Sequence, residues 1–196
     1  MVVVDGKEGK RYAAVLPPPI FSPDGQRVAY CALIGDEWMV VVDGKEGKRY
    51  AALSTPIFSS DSQRVAYGAK IGDEWMVVVD GKEGNRYAGT LEGTPIFSPD
   101  GQRVAYGAKI GDEWMVVVDG KESKGYAGLS TLIFSPDSQR IVYEAVGDKW
   151  MVVVDGHETT WDGIARGGRI TFDAADRLHW VGVNGNVFVL ASARIE

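Results

Sequence analysis

The sequence predicts an all-β fold built from repeated four-stranded units, and three observations support this prediction. The stretch Met-Val-Val-Val-Asp-Gly occurs five times, beginning at Met1, Met39, Met76, Met115 and Met151. Four of these copies follow a tryptophan, and Trp38, Trp75, Trp114 and Trp150 are 37, 39 and 36 residues apart. The 25 glycines and 8 prolines are spread along the chain, which is typical of short strands joined by tight turns. A period of this length indicates stacked or radial repeats.

The first half of a repeat reads as two strands, A and B, in the unit formed by residues 55–91. Residues 56–59 are a short apolar run that we interpret as strand A. Ser60, Asp61 and Ser62 follow, and their side chains can bond to the backbone and tighten a hairpin turn. Residues 63–71 are rich in β-formers and end at a Gly-Asp-Glu turn, so they predict strand B.

The second half of the repeat predicts strands C and D. Residues 75–79 are apolar at every position, as expected for a strand whose two faces both lie against neighbouring sheets. Asp80-Gly81 then predicts a turn. Residues 85–88 form a shorter and more polar segment, which suits an outer edge strand.

A sheet of four short strands cannot bury two apolar faces by itself, so it must pack on copies of itself. Radial packing of such sheets gives a β-propeller, in which strand A lies at the axis and strand D at the rim. Copies of strand A begin at residues 19, 56, 95, 132 and 169, although the last has lost the Ser-Pro-Asp-Gly turn and has Trp180 where strand B otherwise has tyrosine. We therefore expect one domain, residues 1–196, forming a five-bladed β-propeller of four-stranded antiparallel blades closed by N- and C-terminal strands.

Ring closure poses a counting problem, because the predicted strands number one more than five blades need. Residues 2–5 and 187–191 both qualify as strand C of the closing blade. We expect residues 187–191 to take this position, because a short Asn-Gly turn ties them to strand B. Residues 10–15 would then close the ring as the outer strand. Residues 2–5 would then fray, stack outside the ring, or pair with another molecule. We expect a monomer if they fray and a dimer if they pair.

The segment Phe-Ser-Pro-Asp-Gly-Gln-Arg-Val-Ala-Tyr at residues 21–30 recurs at 97–106 and, with serine in place of glycine, at 134–143. It resembles the repeat of the TolB-like, WD-repeat-like β-propellers, and similar units occur in the propellers of prolyl-oligopeptidase and tricorn-type proteases. The resemblance implies a propeller that serves as a docking protein, a substrate filter or a binding module. The chain departs from it in having no hydrolase domain, no separate N-terminal domain, and five apparent blades where the TolB propeller has six.

Composition excludes several classes of function. The net charge of −6 and the absence of a basic cluster argue against a nucleic-acid partner. Cys31 is the only cysteine, so the chain has no internal disulfide, and a thiol in the core is expected. No apolar run reaches the roughly 18 residues needed to span a membrane. The N-terminus shows no secretion signal, but it falls inside a repeat, so the compartment stays open; relatives of the resembled family are often periplasmic or extracellular.

The sequence predicts no enzyme, cofactor or metal site. No Gly-x-Ser-x-Gly occurs, and His157 and His179 are the only histidines. Aspartates recur at two places in the repeat, which we interpret as turn residues rather than calcium ligands: Asp24, Asp61, Asp100 and Asp137, then Asp43, Asp80, Asp119 and Asp155. Four arginines recur beside the A–B turns: Arg27, Arg64, Arg103 and Arg140. We expect them to form salt bridges with the turn aspartates. The weaker alternative is that they form a ring of donors that binds an anion.

The turns between strands B and C carry a recurring Gly-Asp-Glu, which becomes Gly-Asp-Lys in the fourth unit. In a propeller these turns share one face with the D–A connections, so their carboxylates would form an acidic collar: Asp36, Glu37, Asp73, Glu74, Asp112, Glu113 and Asp148. The alternative is a set of solvated turns. The collar predicts a docking face for a protein or basic peptide, and hence a non-catalytic binding or scaffold module.

The last repeat carries side chains found nowhere else in the chain, and these are candidates for a small-ligand site: His157, Trp161, Arg166, Arg169, His179 and Trp180. The alternative is that the repeat is a divergent cap, as terminal repeats often are. Trp161 and Trp180 could also stack on sugars, which would make the chain a carbohydrate-binding propeller. A further alternative is a propeller that gates the hydrolase of a larger chain.

Overall fold

The computed structural model describes residues 2–4, 6–164 and 170–194. These residues form 24 strands and no helix, in agreement with the predicted all-β class. The strands make five antiparallel sheets in chain order, preceded by a two-stranded N-terminal hairpin of β1 (Val3–Val4) and β2 (Lys7–Glu8).

The first four sheets follow the predicted strand order A, B, C, D, and the fifth contains strands A, B and C among the described residues. The first contains β3 (Ala14–Phe21), β4 (Val28–Ile34), β5 (Glu37–Val42) and β6 (Lys45–Tyr50). The second contains β7 (Ala52–Leu53), β8 (Ile57–Phe58), β9 (Val65–Ile71), β10 (Glu74–Val79) and β11 (Lys82–Glu83). The third contains β12 (Gly89–Thr90), β13 (Ile96–Phe97), β14 (Val104–Ile110), β15 (Glu113–Val118) and β16 (Lys121–Glu122).

The last two sheets differ in their outer edges. The fourth contains β17 (Gly128–Phe134), β18 (Ile141–Val146), β19 (Trp150–Val154) and β20 (His157–Trp161). The fifth contains β21 (Gly163–Ile164), β22 (Thr171–Ala174), β23 (Arg177–Asn184) and β24 (Val187–Arg194). In the fifth sheet β21 and β22 together form strand A, and no strand D follows among the described residues.

Strands A and D are longer than the sequence indicated. In the second sheet strand A begins at Ala52, which pairs with Lys70, and a break separates β7 from β8. Strand D begins at Lys82, directly after the turn, and Tyr87 bridges back to Trp75. The two-residue turn explains this register, because Asp80 and Gly81 have φ angles of 51° and 77° and the flanking strands then pair at once.

The hydrophobic core lies between successive sheets. Strand C of the first four sheets is buried on both faces as predicted, whereas β24 of the fifth sheet is exposed on one face. Val40 is 2% exposed and contacts the second sheet, whereas Val41 on the opposite face of β5 is fully buried. Each interface also contains an edge-to-face aromatic pair, in which strand D of one sheet meets strand B of the next: Tyr12–Tyr30, Tyr50–Tyr67, Tyr87–Tyr106, Tyr126–Tyr143 and Trp161–Trp180.

The predicted ring closure is wrong in one respect. β24 does take the C position of the fifth sheet, where it pairs with β23. Residues 10–15 do not pair with it; Ala14 and Val15 belong to strand A of the first sheet, and β2 pairs with β1. No strand pairing joins the fifth sheet to the first sheet or to the N-terminal hairpin within the described ranges.

Packing explains why the N-terminal hairpin stays with the first sheet. Val2 and Tyr12 contact the core cluster of Tyr30 and Met39, in the way that each later C–D hairpin contacts the sheet after it. Lys10 of the same segment lies 2.7 Å from Glu46. Residues 2–12 therefore behave as the second half of a repeat that covers one face of the first sheet.

Candidate functional site

The B–C turns and the D-to-A connections lie at one edge of the sheets, which we call the B–C edge. The pairing of Ala52 with Lys70 and of Trp75 with Tyr87 places the start of strand A and the end of strand D beside the B–C turn. The A–B and C–D turns lie at the opposite edge, the A–B edge. This arrangement agrees with the face expected from the sequence.

Cations on the same edge neutralise part of the predicted acidic collar. Glu37 lies 3.9 Å from Arg49, Glu74 lies 3.3 Å from Arg86, and Asp73 lies 3.9 Å from Lys70. The sequence reading missed Arg49 and Arg86 because strand D proved to run back along strand C to the B–C turn. Lys70 lies in strand B, three residues before Asp73. The remaining collar carboxylates have no ion pair within the described part of the chain: Asp36, Asp112, Glu113 and Asp148.

A groove of about 530 Å³ lies at this edge between the second and third sheets. We call it the Trp75 groove. Its lining is part apolar and part hydroxylic, and comprises Ser54, Thr55, Ile57 and Trp75 from the second sheet and residues 89–95 from the third. Its size is within the range of ligand-binding clefts, roughly 300–1,000 Å³.

A single register position explains why the groove occurs at this interface. Thr90 pairs with Ala108 in strand B of the third sheet. The same position in the other sheets holds an aliphatic side chain that packs into the core between sheets: Val15, Leu53, Leu129 and Ile164. Leu53 shares its cluster with Trp38, whereas the cluster at Thr90 includes no strand A residue and leaves out Trp75. Thr90 is smaller than these aliphatic side chains, so it fills less of the space beside Trp75, and both residues line the groove.

An insertion forms the far wall of the groove. Five residues separate Thr90 from Ile96, whereas three separate Leu53 from Ile57. Leu91 packs closely on Gly107: a Cβ added to Gly107 would lie 2.6 Å from the Leu91 Cβ. Thr94 Oγ1 donates a hydrogen bond to the Leu91 carbonyl oxygen at 2.7 Å. These contacts fix the insertion and leave Glu92 exposed at its tip.

The recurring aspartates of the A–B edge form hydrogen bonds and ion pairs with other residues of the chain. Asp61 accepts hydrogen bonds from the Ser59 hydroxyl and from the Gln63 backbone, and these bonds lower the pKa of its carboxyl. Asp80 accepts from Arg64 Nε and from the Val65 backbone, both at 2.9 Å. Both sets are turn residues, as the sequence indicated. Among the described residues no three His, Cys, Asp or Glu side chains are arranged to hold a metal ion.

Three of the four arginines beside the A–B turns, Arg27, Arg64 and Arg103, link two sheets. Arg64 binds Asp80 of its own sheet, donates to the Gln102 carbonyl oxygen of the next at 2.6 Å, and lies 5.3 Å from the ring centroid of Phe97. Arg27 and Arg103 repeat this pattern. The arginines therefore act as structural links and do not form a ring of free anion donors.

The structure separates the candidate residues of the last repeat. Trp161 and Trp180 are 9% and 3% exposed and pack on each other, so the expectation that they form a sugar-stacking platform is wrong. They replace the tyrosine pair of the other interfaces, which explains their burial. His179 Nδ1 lies 2.9 Å from Asp173, and His157 lines a separate groove of about 350 Å³ with Arg140 and Arg194.

Arg166 and Arg169 lie outside the described residues. Cys31 is buried, as expected, and burial raises the pKa of its thiol to about 11. Glu144 is a buried carboxylate, 7% exposed, that accepts hydrogen bonds from Ser130 and Thr131. It stands where the second and third sheets have Gly68 and Gly107, and the sequence analysis did not single it out.

No protein-family model and no curated protein sequence matches the chain. Solved structures do. The β-propeller domain of the Trilobed protease from Pyrococcus furiosus, described as having an open velcro topology, matches with a TM-score of 0.54 and 14% identity over 94% of this chain and 70% of that domain. A eukaryotic initiation factor matches with a TM-score of 0.54 and 11% identity, over 93% of this chain and 54% of that one.

TolB from Acinetobacter baumannii matches at 15% identity with a TM-score of 0.45, over 92% of this chain and 52% of that one. The chain thus spans about half the length of TolB and of the initiation factor. At these identities the likeness to the protease domain shows a β-propeller fold alone. In the described ranges no helix is long and apolar enough to cross a membrane.

Proposed function

We propose that the five sheets are the blades of a β-propeller that binds other molecules without catalysis, and that its B–C edge docks a basic protein segment or peptide. The proposal has one main support, which is the contrast between the two edges. At the A–B edge the aspartates are paired within the chain: Asp61 accepts a hydrogen bond from the Ser59 hydroxyl, and Asp80 forms an ion pair with Arg64. At the B–C edge Asp36, Asp112 and Glu113 face solvent without an ion pair in the described part of the chain.

Charge and shape at the B–C edge fit the same kind of partner. Unpaired carboxylates beside a concave surface raise the local concentration of cations and speed their association. The Trp75 groove lies on this edge and offers an apolar depression next to that charge. A basic peptide supplies both the positive charge and the side chains that such a surface can take.

A salt-dependent binding measurement tests the proposal. We expect the triple variant Asp36→Lys, Asp73→Lys, Asp112→Lys to bind a lysine- and arginine-rich peptide at least about tenfold more weakly than the native chain at low ionic strength. The difference should shrink as salt is added, because these side chains are exposed and screening acts on them fully. Isothermal titration calorimetry gives both affinities.

A variant that adds three lysines to the A–B edge serves as the control for added positive charge. Gln26, Gln63 and Gln102 are exposed turn residues at that edge, and substituting all three by lysine should leave the affinity within about twofold. Equal affinity in the native chain and the Asp36, Asp73, Asp112 variant would overturn the proposal. So would the absence of peptide binding by the native chain at low salt.

A further inference from the structure

We propose that the Trp75 groove is an anchor site for one arginine or lysine side chain of the docked peptide, held between the Trp75 indole and the Glu92 carboxylate. This inference rests on the proposed function and deepens it. It names the residues that would capture the cation, neither of which belongs to the B–C turn collar. It also names the chemical group that they would recognise.

The chain itself shows that a cation can occupy this indole position. In the third sheet the Lys109 ammonium lies 5.9 Å from the ring centroid of Trp114, which stands where the second sheet has Trp75. The residue matching Lys109 in the second sheet is Lys70, but its ammonium lies 3.9 Å from Asp73. No cation of the described chain lies over Trp75. A cation from a ligand can therefore take the place that Lys109 fills one sheet later.

The opposite wall of the groove supplies the counter-charge. Glu92 is exposed at the tip of the insertion and has no ion pair among the residues described. Thr55 and Thr90 add hydroxyl groups, whereas the hydroxyls of Ser54 and Thr94 are already bonded to the backbone. An ammonium or guanidinium has several donors, so one carboxylate with neighbouring hydroxyls matches it, and Ile57 and Leu91 can contact the aliphatic stem.

The nearby basic side chains of the protein are engaged elsewhere, so they do not fill the groove. Lys109 approaches the rim, opposite Gly89, but its ammonium lies over Trp114. Arg86 lies 3.3 Å from Glu74. The groove therefore presents an aromatic face and a carboxylate without an internal cation.

The test uses short peptides with a single variable residue. Acetylated and amidated Gly-Gly-X-Gly-Gly peptides with X as arginine, lysine or the neutral isostere citrulline are titrated into the full chain at low ionic strength. We expect saturable binding of the two cationic peptides and at least about tenfold weaker binding of the citrulline peptide, since the cation–π and ion-pair contacts are lost.

Two variants locate the site. Thr90→Leu installs the side chain that Leu53 and Leu129 provide at the matching position. It should therefore fill the groove, keep the melting temperature unchanged or higher, and weaken arginine peptide binding at least about tenfold. Glu92→Gln should weaken it about five- to tenfold. Glu8→Gln, which removes an exposed carboxylate of β2 that lies neither in the groove nor in a B–C turn, is the charge-matched control and should change binding less than about twofold.

The outcomes separate this inference from the proposed function. If Thr90→Leu and Glu92→Gln bind the arginine peptide as the native chain does, while reversal of Asp36, Asp73 and Asp112 still abolishes binding of a longer basic peptide, the groove is not the anchor and the docking edge stands. If citrulline binds as well as arginine, the cation is not what the groove recognises. If the native chain binds no basic peptide, both proposals fail.

Discussion

At the scale of single residues, the aspartate of each A–B turn links protonation to stability. Hydrogen bonds from Ser59 and from the Gln63 backbone lower the pKa of Asp61 below its usual 3.8. A lowered folded-state pKa stabilises the fold above the unfolded pKa, and this contribution is lost as the pH falls through the folded value. We expect Asp61→Asn to lower the melting temperature at pH 7, and the difference from the native chain to shrink as the pH falls below the usual pKa of aspartate. Thermal unfolding monitored by circular dichroism measures both.

The control for this experiment is Asp36→Asn at the opposite edge, where the carboxylate is exposed and has no ion pair in the described ranges. Its melting temperature should follow that of the native chain over the whole pH range. A constant difference between Asp61→Asn and the native chain from pH 7 to pH 2 would show that the Asp61 charge contributes nothing and that only the turn geometry matters.

At the scale of the strand and its turns, the arginine that begins strand B joins two sheets. Arg64→Met keeps the apolar stem but removes the bonds to Asp80 and to the Gln102 carbonyl oxygen. We expect a loss of about 1–3 kcal/mol in the free energy of unfolding, because these are charge-assisted hydrogen bonds of a half-buried group. Arg86→Met removes an exposed pair with Glu74 and should cost less than about 1 kcal/mol. Equal losses in urea unfolding would contradict a role for Arg64 between sheets.

The strands also show which features follow from sequence and which do not. Strand C could be predicted because residues 75–79 are apolar throughout and Asp80-Gly81 suits the turn that follows. The early part of strand A could not, because Ala52–Leu53 is only two residues long and residues 54–56 separate it from Ile57–Phe58. It pairs with Lys70 and Ala69 only once the sheet is assembled. The Trp75 groove depends on the corresponding pairing in the third sheet, Thr90 with Ala108, which the sequence did not show. One signal was visible: the spacing from Trp75 to Trp114 is 39 residues where the preceding spacing is 37, and the two extra residues lie in the insertion.

At the scale of the whole molecule, strand counting wrongly predicted which strand lies beside β24 to close the ring. Counting treats residues 2–5 and β24 as rivals for one position. In the structure the two segments do not compete. The N-terminal hairpin packs on the first sheet through Val2 and Tyr12, whereas β24 pairs with β23 in the fifth sheet. Packing between sheets, which counting ignores, therefore decides the arrangement of the N-terminal strands.

This arrangement leaves one face of the fifth sheet without a covering sheet among the residues that the structure describes, and that face supplies the last prediction. Leu190 occupies the position in β24 that Val152 occupies in β19, yet Leu190 is 73% exposed and Val152 is 1% exposed. Val152→Ala should cost about 2 kcal/mol of unfolding free energy, because it empties space between the fourth and fifth sheets. Leu190→Ala should stay within about 0.5 kcal/mol of the native chain. Urea unfolding at several protein concentrations measures both. A loss for Leu190→Ala as large as that for Val152→Ala would mean that the fifth sheet is covered in solution, by the same chain if the loss is independent of concentration and by a second copy if it is not.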